Sequence, residues 1–389
     1  MGPNGNSHCS DLRRGNRVTR HQIGVNLLWL RSGQVGGSQE YLLRQLVGAS
    51  LHEKIKREYE ISLFVPKGFA QHHPELASVY KCIEAPAHAG SRAARIALEQ
   101  TWLAFKSRRF HLMHHGGGTL PRFGARRTVL TIHDVQYLSF PENFSPVRLA
   151  YLRRVIPSSL RRATVVTTPS NYVRERLIEA FDLPSTQVRV VRHGVEPSHG
   201  AGATSESELR QRLGLGLRQV IFLPAITHPH KNHQFLLQLM TQHWIDTNLV
   251  LVCAGGKGRS EDVFMREVRR RNLDERVVRI GRVSDADRDG LMKLSRALVF
   301  PSLYEGFGAP VLEAMILGTP VISSNCAALP EVIGDAGLVL PLELNAWANA
   351  LQIVESKRDQ FVASGKVRAA EFSISNSGRD LIASYGSAL

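Results

Sequence analysis

Cysteine, long apolar runs and, in the first half of the chain, carboxylates are all scarce in this sequence. Its 389 residues hold four cysteines, Cys9, Cys82, Cys253 and Cys326, far apart and without a CxxC pair. That spacing argues against a disulfide framework or a cysteine-based zinc site and fits reduced thiols. No apolar run approaches the roughly 20 residues a spanning helix requires. The opening "MGPNGNSHCSDLRRGNRVTR" lacks the apolar middle of a signal peptide. The expected compartment is the cytoplasm. A hydrophobic fraction of 43% and a charged fraction of 21% argue against a disordered or fibrous chain.

The carboxylate shortage is uneven. Residues 1–200 contain 28 Lys and Arg against 14 Asp and Glu, while residues 201–389 contain 21 against 20, so nearly all of the net charge of +15 lies in the first half. Such a half fits an acidic partner, an anionic membrane or nucleic acid, or it is a solvated basic face. Nucleic acid is disfavoured, because no basic patch is interleaved with aromatics and no recognition motif occurs. Peripheral attachment at the inner face of the plasma membrane remains compatible with the charge.

What is present is an alternation of short β-rich runs with helical segments. "IGVNLLWL", "YEISLFVP", "FHLMHH", "RTVLTIHD" and "ATVVTTPS" read as strands in the first half, and "QVIFLPAI", "TNLVLVCAG", "VVRIG", "LVFPS" and "PVISS" in the second. Between them, "GVEPSHGAGATSESEL" has the composition of a linker. The length favours two units. The expected class is α/β, with two Rossmann-like domains facing each other across a cleft. The boundaries read as a flexible arm over 1–20, an N-terminal domain over 21–198, a C-terminal domain over 199–371, and a final helix over 372–389 that crosses back to the first domain.

The stretch "PSLYEGFGAPVLEAM", residues 301–315, carries the chemistry. A strand leads into a loop with Gly306 and Gly308, then a helix closed by Gly318. Glu305 falls on the loop and Glu313 about one turn into the helix. Glycine lets backbone approach a ligand, free N–H groups at a helix start favour an anion, and carboxylates accept hydrogen bonds from hydroxyls. A nucleotide sugar, hydroxylated at both ends of a diphosphate, fits this set. A capping acid and a surface helix Glu are the simpler alternatives.

"PSLYEGFGAPVLEAMILGTPVISSNCAALPEVIGDAGLVLP" resembles the C-terminal signature of retaining glycosyltransferases of the GT-B architecture, in the large group 1 (GT4) family, and carries their E-x7-E pattern as Glu305 and Glu313. The resemblance covers roughly residues 23 to 385. It implies a donor site of Gly36, Gly37, Lys231, Glu305, Gly306, Phe307, Gly308, Val311, Leu312 and Glu313, with Lys231 on the donor diphosphate and Glu313 on the ribose. It places His133 of "TVLTIHDVQYL" near the reacting bond, so that His133, Lys231 and Glu305 form the catalytic set. Many members of that family also place an Arg five or six residues before the Lys. Ile226 and Ala225 stand there, which leaves the second positive charge missing or assigned to His228, His230 or an Arg elsewhere.

The implied activity is transfer of a hexose, with mannose favoured, from a nucleotide diphosphate sugar to a hydroxyl of a glycan or lipid-linked acceptor, in polysaccharide or lipopolysaccharide assembly. No metal and no cofactor beyond the donor are expected. A sugar-nucleotide binder without transfer and a basic nucleic-acid-binding protein are the alternatives. "HLMHHGGG" imitates a metal site, but neighbours on a strand face opposite ways. "SDADRDG" imitates a calcium loop, yet Ser284 with Asp287 makes a helix start.

Overall fold

A computed structural model of the chain describes residues 20–30, 37–87, 90–196 and 199–389. Cys9 and Gly36 lie outside them. Among the described residues thirteen strands form two sheets in which every strand pair is parallel. The first contains β1 (His21–Asn26), β2 (Tyr59–Val65), β3 (Lys81–Glu84), β4 (Leu112–His115), β5 (Thr128–Thr131), β6 (Val165–Thr168) and β7 (Val188–Val190), in the order β3-β2-β1-β4-β5-β6-β7. The second contains β8 (Gln219–Pro224), β9 (Leu249–Ala254), β10 (Val277–Gly281), β11 (Ala297–Phe300), β12 (Val321–Ser324) and β13 (Leu338–Leu340), in the order β10-β9-β8-β11-β12-β13. Six inner strands, β4, β5, β6, β9, β11 and β12, are buried along their whole length, because helices cover both faces.

Seven helices position the site: α1 (Gly37–Ser50), α2 (Pro146–Arg162), α3 (Asn171–Phe181), α4 (His233–Gln242), α5 (Asp285–Leu294), α6 (Ala309–Ile316) and α7 (Ile374–Ala388). Their starts are locally encoded. Ser145, Ser170, Ser284 and Ser373 each accept a backbone N–H with the side-chain oxygen and so cap α2, α3, α5 and α7. Helix α7 lies on α1 and sends Leu381, Ile382 and Tyr385 into the core of the first sheet. The two helices touch at glycines: a Cβ on Gly48 would strike the Ile374 carbonyl, and one on Gly378 the Gly48 backbone. Among the described residues no helix is long and apolar enough to cross a membrane.

In each sheet the strand order reverses beside the first strand, between β1 and β4 and between β8 and β11. Loops leaving the carboxyl ends there diverge and open a crevice. The loops after β8 and β11 carry Lys231 and Glu305.

Candidate active site

The loop after β11 meets the N-terminal domain. Gly306 approaches so closely that a Cβ there would sit 2.4 Å from the His133 carbonyl oxygen, and its own carbonyl accepts the Ser170 hydroxyl at 2.7 Å. Tyr304 Oη accepts from the Val135 N–H at 3.1 Å. Glu331 accepts from the backbone N–H groups of Asn171 and Tyr172, at 2.9 and 3.0 Å, at the start of α3. Carboxyl ends of both sheets therefore face each other at this loop.

Lys231 ends a 3-10 turn, Pro229–Lys231, held by Leu303 N–H donating to the His230 carbonyl at 2.7 Å. Its ammonium meets Glu305 Oε1 at 2.5 Å and stands 5.4 Å from the centre of the Phe300 ring. Both partners keep a small open face, 18% and 12% of their side chains. The charged forms of the neighbouring histidines are disfavoured. Burial, aided by Lys231, pulls His230 down to about 3 and lowers His228. Lys231, Arg259 and Arg148 are the cations that add to the lowering of His228, so two arginine side chains stand on this side of the crevice. Arg148 arrives from α2 in the other domain, and Arg259 donates across the gap to the Glu142 carbonyl at 2.8 Å.

Glu313, on α6, is 3% exposed. It lines a cavity of about 270 Å³ at the carboxyl ends of β8, β9 and β10, walled by Ile226, Gly256, Arg282, Arg288 and Pro310, with Glu40 of α1 reaching in from the other domain. Arg44 of α1 stands 3.5 Å and Arg288 of α5 3.6 Å from the Glu313 carboxyl oxygens. Burial lifts Glu313 to about 7, against the downward pull of Arg288 and Arg44. Lys231 and Glu305 do not line this cavity. They stand beyond the start of α6, four residues before which Glu305 lies. A ligand touching all three must therefore run past that helix start.

On the N-terminal side His133 packs against the rings of Trp29 and Tyr41, at 5.7 and 5.3 Å between centroids. Its Nε2 lies 2.9 Å from the Gly116 carbonyl and so donates to it. Burial lowers its pKa, which favours the neutral ring and leaves Nδ1 as an acceptor. Asp134 Oδ1 accepts the Gln136 N–H at 3.0 Å and caps the next turn.

Residues 49–199 match the model of glycosyltransferase family 4, and residues 217–355 that of the group 1 glycosyl transferases. Over 293 residues the chain is 31% identical to O-antigen chain mannosyltransferase B of Escherichia coli, covering 74% of this chain and 76% of that protein. The chain belongs to the group 1 glycosyltransferases of family 4. This glycosyltransferase is also 28% identical to O-antigen chain mannosyltransferase RfbU of Salmonella typhimurium, over 63% of its own length and 64% of the relative's. Its GT-B architecture is shared with the Anabaena HepE protein in complex with UDP and glucose, at a TM-score of 0.71 with 18% identity, covering 95% of this chain and all of that one. It is shared too with WaaG, a glycosyltransferase involved in lipopolysaccharide biosynthesis, at 0.68 and 15%, covering 92% and 99%.

Within the glycosyltransferase not every expected donor residue faces the crevice. Val311 and Leu312 are fully buried in the core of the second sheet, and the Val311 N–H is spent on the Gly308 carbonyl, so neither side chain can touch a donor. They hold α6 in place instead. The Phe307 ring is also in that core, 5.3 Å from His193 and 5.6 Å from Phe372, which leaves its backbone for a ligand. Gly308, at φ 98°, makes the turn into α6. Gly37 opens α1. Arg288 and Asp285, in the "DADRDG" segment read only as a helix start, line the cavity, and Arg44 and Glu40 come from a helix read only as packing. Residue spacing carried no signal for these four. His114 and His115 face opposite sides of β4: His114 bonds Tyr385 and Thr131, and His115 stands beside Asn26.

Proposed function

We propose that the enzyme is a retaining mannosyltransferase that moves mannose from GDP-mannose to a hydroxyl of a glycan or lipid-linked acceptor in bacterial surface polysaccharide assembly. The observation that carries the donor site is Glu313 in the cavity beyond β8–β10, with the Lys231–Glu305 pair on the other side of the α6 start. The nucleoside fills the cavity, with Glu313 accepting from ribose hydroxyls. The diphosphate passes the positive end of α6 and reaches Lys231, with Arg148 and Arg259 adding positive charge. Side chains neutralise the leaving group, so no metal cofactor is assigned. Glu305 and the backbone at Phe307 and Gly308 hold the hexose, beside His133. The choice of mannose rests on the names of the two O-antigen relatives.

No carboxylate is assigned as a covalent nucleophile. The acceptor oxygen attacks the anomeric carbon on the face from which the diphosphate departs, that carbon–oxygen bond breaks, and the acceptor proton passes to a departing phosphate oxygen. The basic N-terminal half suits an acceptor held at an anionic membrane face, with the enzyme working from the cytoplasmic side. Incubation with GDP-mannose, UDP-glucose and ADP-glucose, with and without a mannose-terminated lipid-linked oligosaccharide, tests this. The expected product is an α-mannoside with GDP released only when acceptor is present. Turnover of UDP-glucose alone, or an inverted anomer, would contradict it.

A further inference from the structure

A second cavity, of about 360 Å³, lies in the N-terminal domain beneath the crossover that joins β4 to β5. Arg108, Arg122, Arg126 and Arg162 line it, together with His115, Ser107, Thr128 and Phe123, and no carboxylate does. Residues 90–127 around it hold eight Lys and Arg against one acid, Glu99. Thr128 opens β5 at the amino end of the sheet, and Arg162 closes α2, a helix of 17 residues whose length of about 25 Å separates this end from the start that bears Arg148. The cavity is thus not the donor crevice.

Its polar groups are arranged unevenly. Arg162 is committed: its guanidinium donates to the carbonyls of Leu120, Pro121 and Arg122 and shapes the crossover. Arg108, Arg122 and Arg126 have no carboxylate within ion-pair distance among the described residues; Arg122 lies 5.5 Å from the centre of the Phe123 ring. Thr128, only 8% exposed, has a buried hydroxyl with no hydrogen-bond partner. An orphaned buried hydroxyl costs free energy unless something supplies its bond. Three guanidiniums that line one cavity without an ion-pair partner attract an anion into it. Arginine forks match tetrahedral oxyanions, and a hydroxyl completes such a shell.

We infer that this cavity is a phosphate-binding site, separate from the donor crevice, in which Arg108, Arg122 and Arg126 grip a phosphate or diphosphate group and the Thr128 hydroxyl donates to one of its oxygens. A free phosphate compound and a phospholipid headgroup share this chemistry. Phe123, 63% exposed at the rim, supplies an apolar contact that only the lipid source would use.

The test compares wild type with the Arg108→Gln/Arg126→Gln double variant, whose altered side chains are exposed, with Thr128→Val as a single buried change and Lys231→Ala as the crevice control. Inorganic pyrophosphate is titrated calorimetrically, and cosedimentation is measured with vesicles of phosphatidylglycerol and of phosphatidylcholine. The inference expects the double variant to lose about tenfold or more in pyrophosphate affinity while Lys231→Ala keeps that binding event, or to lose cosedimentation with phosphatidylglycerol alone. The first result assigns a soluble phosphate compound and the second a lipid headgroup. Pyrophosphate binding abolished by Lys231→Ala and untouched by the arginine changes, with vesicle binding equal in both proteins, would overturn it. So would no difference between the double variant and wild type in either assay.

Discussion

Lys231 meets Glu305 at 2.5 Å, and a sugar diphosphate seated between them would divide that pair, phosphate to the ammonium and hydroxyl to the carboxylate. Charge-assisted bonds of this kind are worth about 1.5 to 3 kcal/mol. Glu305→Ala should therefore slow turnover about 10- to 150-fold at saturating donor, with the fold intact by circular dichroism. A fully active variant would remove Glu305 from the reaction. Glu313 makes a pH prediction. Its carboxyl is raised to about 7 by burial, so folding favours the protonated form, and that contribution to stability is lost as pH rises through 7. Ribose hydroxyls need the ionised form as acceptor, so donor affinity should rise about tenfold from pH 6 to pH 8. Calorimetric titrations at the two pH values check this, and a Glu313→Gln variant that kept the same slope would refute it.

At the scale of elements, the contact between α1 and α7 depends on backbone meeting backbone at Gly48 and Gly378. Gly378→Ala should cost about 1 to 3 kcal/mol, as overpacking does, and expose the C-terminal helix to protease before the rest of the chain unfolds. Unchanged melting and cleavage would contradict the packing. The elements most legible in the sequence were inner strands and serine-capped helices. "ALVF" and "LVLVCA" are apolar on both faces because both faces are covered. β3, β7 and β13 were missed, since each is an edge strand, short and only partly buried, and "KCIE" shows neither an apolar run nor a clean alternation. The site divides the same way. Glu305, Gly308 and Glu313 lie on one local segment whose spacing is readable. Arg44, Arg148, Arg259 and Arg288 reach the crevice from four separate parts of the chain, and no local pattern announces a contact made by folding. Val311 and Leu312 show the converse: they stand beside residues of the proposed donor site in sequence but point into the core.

On the scale of the whole molecule, function depends on two sheets held with their carboxyl ends facing. The Glu331 carboxylate spans the gap to cap α3, and Arg44 reaches across to Glu313. Glu331→Ala should leave the Asn171 and Tyr172 N–H groups without that acceptor and speed their hydrogen exchange about 10-fold or more, with far-UV dichroism unchanged. Exchange as slow as in wild type would show that this contact does not hold the domains. Charge is distributed on the same scale. The second half is nearly neutral and builds most of the cavity proposed for the donor, whereas the first half holds the basic surface and the arginine-lined cavity. The most direct measurement of the central claim is calorimetric titration of GDP-mannose into wild type, Lys231→Ala and Glu313→Ala. Weakening of about 10- to 150-fold in each variant is the predicted result; binding as tight as wild type in both would contradict the donor site placed along α6.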